Sequence, residues 1–256
     1  MKDFAIKILT AKLGNTYLFS VGQAGYVIKS KSGQLFGIDL YLSECVERIE
    51  GHVGFKRLLP RIVDAFDLKF DCIVATHPHV DHFDIDAMPQ LMSNKKTQLY
   101  ASVDCEKEIE RLAMSKDNVT YVKPGDAFVC GDFKLQFVNC DHGTGAPDAV
   151  GLILTVDDKK ILMTGDTCLR LDRVNEYLSE GNLDVLIAPI NGEYGNLNEN
   201  DCAKLSAALK PQITIPSHYG MFASHGGNPG LFYKIMTEQY PENKFELLCL
   251  GEEIIL

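Results

Sequence analysis

The stretch ATHPHVDHFD, residues 75–84, concentrates side chains that can bind metal ions. It contains three of the chain's seven histidines, His77, His79 and His82, together with Asp81. In an extended backbone alternate side chains point the same way, so the imidazoles of His77 and His79 can hold one ion. Asp81 and His82 follow where the chain turns and can reach a second ion. A solvated polar loop is the alternative, but several histidines at ligand spacing are typical of a metal site.

Three more candidate ligands follow other predicted strands. His142 comes after the strand that ends near Asn139, Asp166 follows the apolar run ILMTG, and His218 ends QITIPSH. His77 has the same position after the buried run FDCIVAT. The carboxyl ends of strands in α/β sheets converge on a ligand crevice, so we expect these side chains to meet there. Taken alone, Asp166 is also typical of a turn or helix N-cap.

The elements that must position these residues follow from the hydrophobic pattern. We predict strands at 24–30, 35–41, 70–76, 119–122, 127–130, 135–139, 152–156, 159–165, 183–189, 212–218 and 245–256. Helices are predicted at 102–116, 171–179, 198–211 and 228–240. Ser102 or Asp104 is expected to cap the first helix, and Asn228 with Pro229 begins the last. No linker or repeat interrupts the pattern, which favours one α/β domain over residues 1–256.

Composition limits the partners of the chain. The 256 residues include 35 acidic and 25 basic side chains, a net charge of −10, and no stretch is rich in lysine or arginine. Nucleic acid partners need a basic face, so they are not expected. A small anionic or phosphorylated substrate is still compatible, because bound metal ions supply positive charge. The oligomeric state is left open.

Cysteine usage and hydropathy bear on location. The eight cysteines are scattered without a CxxC pair, which is typical of buried thiols in a reducing compartment. Cys168, two residues after Asp166, is read as such a thiol and not as a ligand. The N-terminal residues do not form the pattern of a signal peptide, and no run approaches the ~20 apolar residues of a membrane span. We expect a cytoplasmic protein without a membrane partner.

The order H-x-H-x-D-H, a lone His, an Asp after TG and a final His resembles the metallo-β-lactamase superfamily over nearly the whole chain. ATHPHVDHFD, VKPGDAF and IPSHYGMF most resemble its ascorbate-6-phosphate lactonase branch. The resemblance implies an α/β fold, a four-layer αββα sandwich with mixed sheets. It also implies a set of metal ligands, in which the first ion is held by His77, His79 and His142, the second by Asp81, His82 and His218, with Asp166 bridging them.

The resemblance also implies the chemistry. Two divalent ions, Zn²⁺ or Mn²⁺ with Fe²⁺ as a further candidate, would share a hydroxide that attacks a small ester, lactone or phosphorylated metabolite. Asp81 and Asp166 would be the catalytic carboxylates, Asp81 passing a proton to the leaving group. Asp39 would lie beneath the site and orient its imidazoles. A simple turn residue at the strand end is the alternative for Asp39.

Substrate contacts are expected from loops near the site. Asn191, Glu193 and Asn196 lie in PINGEYGNLNEN, and His225 lies in FASHGGNPG. Arg57 and Arg61, in FKRLLPRIV, are candidates for a substrate phosphate. Ordinary glycine-rich turns, and a solvated helix face for the arginines, are the alternatives.

Other functions fit much of the same ligand pattern. They are a phosphodiesterase or nuclease with the same dinuclear site, a mononuclear-iron dioxygenase, and a non-catalytic metal-binding protein. One iron with oxygen consumption would distinguish the dioxygenase from a hydrolase with two redox-inert ions.

Overall fold

The computed structural model describes residues 2–256, which form thirteen β-strands and seven α-helices. The strands are β1 Tyr17–Gly22, β2 Gly25–Lys29, β3 Leu35–Ile38, β4 Cys72–Ala75, β5 Gln98–Ser102, β6 Val119–Val122, β7 Ala127–Cys130, β8 Phe133–Asn139, β9 Val150–Val156, β10 Lys159–Met163, β11 Val185–Pro189, β12 Ile213–Ser217 and β13 Glu253–Ile255. The helices are α1 Lys2–Thr10, α2 Cys45–Glu50, α3 Met88–Leu91, α4 Glu106–Arg111, α5 Val174–Tyr177, α6 Glu199–Leu209 and α7 Pro229–Gln239.

Two mixed sheets lie face to face. The first has the order β13-β1-β2-β3-β4-β5-β6, antiparallel through β3 and parallel from β3 to β6. The second has the order β12-β11-β10-β9-β8-β7, with only β10, β11 and β12 mutually parallel. Leu18, Phe36, Phe137 and Leu152 belong to the apolar core between the sheets. Parallel strands buried on both faces explain the continuous apolar runs in the sequence.

Helices cover both outer faces. Phe4 of α1 and Met88 of α3 pack with the outer face of the seven-stranded sheet, while Leu205 of α6 and Phe232 of α7 pack with that of the six-stranded sheet. This arrangement confirms the predicted four-layer αββα sandwich. None of the described helices combines the length and apolar composition that a bilayer span requires.

Most predicted elements form where the pattern places them, and asparagine side chains cap α6 and α7. The side chain of Asn198 accepts a hydrogen bond from Asp201 N at the start of α6. The side chain of Asn228 likewise accepts from Leu231 N at the start of α7, with Pro229 as the first helical residue.

The structure differs from the sequence predictions in several places. The helix expected at 102–116 is only α4, preceded by a 3₁₀ turn, and neither Ser102 nor Asp104 caps it through its side chain. Instead the carboxylate of Asp104 accepts from Asp148 N at 2.7 Å. The expected strand 245–256 is reduced to β13. Residues 55–63 form no helix, so the solvated helix face that was the alternative for the arginines is absent. The pattern also missed β1, β5, α2 and α3, and it missed helix α1. Its end is fixed by Lys29, whose Nζ donates to the carbonyls of Ile8, Leu9 and Ala11 at 2.8–2.9 Å.

The carboxyl ends of β3, β4, β8, β10 and β12 lie at one edge of the sandwich. Two backbone hydrogen bonds close this edge, from Val150 N to Thr76 O and from His218 N to Gln23 O, both 3.0 Å. The first bond joins the two sheets directly. Loops that are far apart in sequence therefore meet at this edge, as expected at the carboxyl ends of strands in an α/β sheet.

Candidate metal centre

Imidazole and carboxylate atoms converge at this edge in three groups. The groups are His77 with His79 and His142, His77 with His82 and Asp166, and Asp81 with His82 and His218, and the ligand atoms of each lie within 4.8 Å of one another. The structure thus brings together all seven residues that the sequence pointed to as ligands. Cys168 belongs to none of these groups.

The distances inside the first group suit a shared ion. His79 Nδ1 lies 3.1 Å from His77 Nε2 and 3.0 Å from His142 Nε2. One ring nitrogen cannot make good hydrogen bonds to two other ring nitrogens when each carries at most one hydrogen. Nitrogen ligands at 2.0–2.1 Å from a tetrahedral ion would lie roughly 3.3 Å apart, close to what is found.

The group of Asp81, His82 and His218, called the second group from here on, has the same character. His82 Nε2 lies 3.1 Å from His218 Nε2, and His218 Nε2 lies 2.8 Å from Asp166 Oδ1. Despite that short distance, Asp166 Oδ1 is buried without a hydrogen-bond partner, so the two atoms are not aligned as donor and acceptor. Buried His142 Nδ1 also has no partner. Buried polar atoms normally find partners, so unsatisfied ones here fit a site that takes a cation.

The electrostatics of the two groups differ. Burial lowers the pKa of His77, of His79 and of His142, the last to about 4. These imidazoles are neutral at pH 7 and their lone pairs are free to bind an ion. Burial also acts to lower the pKa of His82, but the carboxylates of Asp166, Asp81 and Asp39 together raise it well above its ordinary value.

Asp39 lies beneath these side chains. It directly follows β3, is buried, and its carboxylate accepts hydrogen bonds from Thr76 N at 2.8 Å and Thr76 Oγ1 at 2.7 Å. The same carboxylate lies 2.8 Å from His82 Nδ1. A hydrogen on Nδ1 leaves Nε2 of His82 as the nitrogen that faces the candidate ion site.

Asp84 holds the far end of the histidine loop. Its fully buried carboxylate accepts from the backbone N–H groups of Leu42, Ser43, Asp86 and Ala87 at 2.7–3.0 Å. With Asp39 at the near end, the loop between β4 and α3 is fixed at both ends. Asp84 therefore positions the loop and does not face the candidate ligands.

Two contacts with the candidate ligands were not predicted from the sequence, although Asn196 was a candidate substrate contact. Gln23, in the β1–β2 turn, has its Nε2 2.9 Å from both Asp81 Oδ2 and His218 Nδ1. Asn196 Nδ2 donates to Asp166 Oδ2 at 2.8 Å. Nothing local in the GQAG turn signals this role, because both partners of Gln23 come from distant loops.

Strained backbone is concentrated at the site. Ten non-glycine residues of the described chain have positive φ, and half of them lie here, namely Gln23, Asp39, Tyr194, His218 and His225. Each left-handed residue costs of order 1 kcal/mol, and such strain clusters at functional sites where surrounding contacts hold it.

A cavity of about 390 Å³ opens beside the cluster and shows where the predicted substrate residues fall. Asn191 and His225 line it, whereas Glu193 and Arg61 do not. Glu193 is exposed to solvent, and Arg61 lies 3.8 Å from Glu44 and from Asp64. No lysine or arginine is among the lining residues. The structure therefore does not bring Arg61 to the candidate site.

Arg57, in the same segment, has a structural role. Arg57 donates to the carbonyls of Ser43 at 2.6 Å and Leu59 at 2.7 Å, and its guanidinium lies 4.8 Å from the ring centre of Tyr41. It is not available to a ligand.

Comparison with known proteins identifies the family. Residues 45–219 match the model of the β-lactamase superfamily domain. The chain belongs to the metallo-β-lactamase superfamily. A relative from Enterococcus faecalis, a UPF0173 metal-dependent hydrolase, is 31% identical over 204 residues, which cover 76% of this chain and 85% of the relative. Like this relative, the chain is a metal-dependent hydrolase of the superfamily.

Solved structures share the fold at lower identity. Igni18, a metallo hydrolase from the archaeon Ignicoccus hospitalis, has a TM-score of 0.73 at 19% identity, covering 94% of this chain and 98% of its own. An isothiocyanate hydrolase from Delia radicum gut bacteria has a TM-score of 0.75 at 22% identity, covering 94% of this chain and 99% of its own. At these identities the likeness supports the fold and does not indicate a substrate.

Proposed function

We propose that the chain is a cytoplasmic hydrolase of a small ester or lactone that uses two divalent ions, Zn²⁺ or Mn²⁺. The observation that carries the proposal is the position of Asp166 between the two groups. Its Oδ1 lies 2.8 Å from His218 Nε2, and its Oδ2 lies 3.9 Å from His142 Nε2. One carboxylate thus faces ligands of both groups, as a bridge requires. We also propose that residues 1–256 act as one domain.

The ligand roles follow the groups. His77, His79 and His142 would hold one ion, Asp81, His82 and His218 the other, with Asp166 between them. When bound, two such ions acidify a water molecule and polarise the carbonyl that it attacks.

Residues that are not ligands would prepare the site. Asp39 keeps the imidazole of His82 in the tautomer that presents Nε2. Gln23 donates to Asp81 and holds its carboxylate at the cavity wall. Asp81 would take the proton from the attacking water and return it to the departing alcohol oxygen, so that acid and alcohol are the two products.

The residues that line the cavity give less support to the competing functions. A nuclease or phosphodiesterase of nucleic acids needs basic side chains along the backbone of its substrate, and none lines the cavity. A phosphate group on another part of a small substrate would likewise find no basic side chain in the cavity. A dioxygenase would use one iron, whereas the present geometry offers a second ligand group. A non-catalytic metal-binding protein would not need the apolar cavity beside the ions.

Metal analysis with a substrate panel tests the proposal. Purified protein should contain two ions per chain and hydrolyse at least one of a γ-lactone, an aryl ester and a thioester. Bis(4-nitrophenyl) phosphate and a phosphomonoester should be turned over more slowly. An isothiocyanate belongs in the panel because a fold relative is named for that activity. One iron per chain with oxygen uptake, or two ions without hydrolysis of any panel member, would contradict the proposal.

A further inference from the structure

The cavity wall contains three aromatic rings in mutual contact. Phe55 and His225 stack with ring centres 4.5 Å apart at 22°, and Tyr194 lies 6.4 Å from Phe55 and 5.6 Å from His225. The apolar side chains of Val46, Val53, Pro78 and Val80 line the cavity as well. This composition suits an apolar portion of a substrate next to the scissile bond.

The aromatic wall is held in place although it is partly exposed. His225 Nε2 donates to Val53 O at 3.0 Å, and its Nδ1 faces the hydroxyl of Tyr194 at 3.5 Å. Tyr194 is 61% exposed, yet its backbone and that of His225 are left-handed. A large ring kept exposed on a strained backbone is typical of a ligand contact, because neither burial nor conformational preference explains it.

A single carboxylate without a counter-ion lines the same cavity. Glu50, the last residue of α2, is only partly exposed, and its side chain makes no hydrogen bond or ion pair within the described chain. Glu47, one turn earlier, is paired with Lys56 at 2.5 Å. Because no lysine or arginine lines the cavity, the charge of Glu50 is not compensated there.

We propose that this cavity selects substrates in which an organic cation with an apolar portion lies beside the ester or lactone, and that it rejects phosphorylated ones. The inference rests on the proposed function and names its substrate class. Aromatic faces and an unpaired carboxylate both attract a cation. A phosphate in the same place would be repelled by Glu50 and would find no cationic side chain.

Binding of three matched probes to the metal-loaded protein tests the inference without requiring turnover. The probes are phenyltrimethylammonium, its uncharged analogue tert-butylbenzene, and phenylphosphonate in the presence of excess metal. The cation should bind roughly tenfold more tightly than the neutral analogue, the scale of a partly desolvated cation–aromatic contact with a nearby carboxylate. Phenylphosphonate, which can also bind the metal ions directly, should compete less well in the unaltered protein than in Glu50→Gln.

Two variants assign the effect to the cavity. Glu50→Gln should weaken binding of the cation about threefold to tenfold and leave the neutral probe unchanged. Tyr194→Ala should weaken both probes. The matched controls are Glu44→Gln, an exposed carboxylate beside α2 that does not line the cavity, and Phe66→Ala, an exposed ring elsewhere. Neither control should change binding.

Hydrolysis separates the two proposals. The 4-trimethylammonio, 4-tert-butyl and 4-phosphono derivatives of phenyl acetate share one reacting ester, and the cationic ester should have the highest kcat/KM. Equal binding of cation and neutral probe, or no effect of Glu50→Gln, would overturn the inference even if all three esters are hydrolysed. A cation preference without hydrolysis of any ester would instead overturn the proposed function and leave the inference standing.

Discussion

His82 Nδ1 lies 2.8 Å from the carboxylate of Asp39, although the two residues are 43 positions apart. Asp39 directly follows β3 and has φ of +46°, a left-handed conformation that costs of order 1 kcal/mol. The strained backbone turns its carboxylate under the histidine loop, where it also accepts from Thr76. One side chain therefore sets both the path of the loop and the tautomer of a candidate ligand.

Asp39→Asn tests this relationship. The amide has nearly the same shape but no charge, so it supports the His82 imidazole less well. We expect affinity for the second ion to fall about 10- to 100-fold, the usual effect of removing a partner of a ligating histidine. Competition with a chromophoric chelator measures it. Asp117→Asn, an exposed carboxylate far along the chain, is the control. Unchanged affinity in Asp39→Asn would show that Asp39 is only a turn residue.

His142→Ala tests the division of ligands between two ions. It removes one nitrogen from the first group and leaves Asp81, His82 and His218 intact. We expect the metal content after dialysis to fall from two ions to about one per chain, because each ion loses affinity when a ligand is removed. Elemental analysis gives the ratio, and circular dichroism should show an unchanged fold. Retention of two ions would exclude His142 as a ligand.

Lys29→Met tests how the N-terminal helix is attached. The Lys29 ammonium donates to three carbonyls at the end of α1, and the substitution leaves these acceptors without a partner. Hydrogen bonds from a charged donor each contribute about 1.5–3 kcal/mol, and part of this returns through solvation of the freed carbonyls. The free energy of unfolding in urea should fall by about 2–4 kcal/mol. Lys31→Met, an exposed neighbour, should change it little.

The metal-free protein should lose stability between pH 7 and pH 5. The pKa values of His77, His79 and His142 are lowered by burial, so the unfolded chain binds protons there that the folded chain does not. Stability from such groups is present above their unfolded pKa, near 6.5, and is lost as the pH falls toward the folded value. The pKa of His82 is raised, so its contribution to stability is present at low pH and is lost only as the pH rises above about 6.5. It therefore does not offset the loss between pH 6.5 and pH 5.

Urea unfolding of chelator-treated protein at both pH values checks this expectation. His142→Ala should show a smaller difference between pH 7 and pH 5 than the unaltered chain. Equal or greater stability at pH 5 would mean that the three imidazoles are not buried in the neutral form.

The sequence by itself determined the parts of this protein that depend on neighbouring residues. Apart from β5, the strands from β2 to β12 follow from apolar runs of strand length. Asn198 and Asn228 cap their helices through bonds to a backbone N–H three residues away. The spacing of His77, His79, Asp81 and His82 also indicated metal chemistry before any fold was known. Each of these signals acts within about one turn of backbone, so local chemistry is enough to read it.

Only the tertiary structure decided which distant side chains share a space. It brought Gln23 to Asp81, joined Glu50 with Tyr194 and His225 in one cavity, and left Arg61 outside. It also paired Arg57 with Phe222 in an isolated bridge, in a segment where Pro60 already disfavours a helix. Contacts between loops depend on how two sheets stack and where their strands end, and no short window of sequence contains that information.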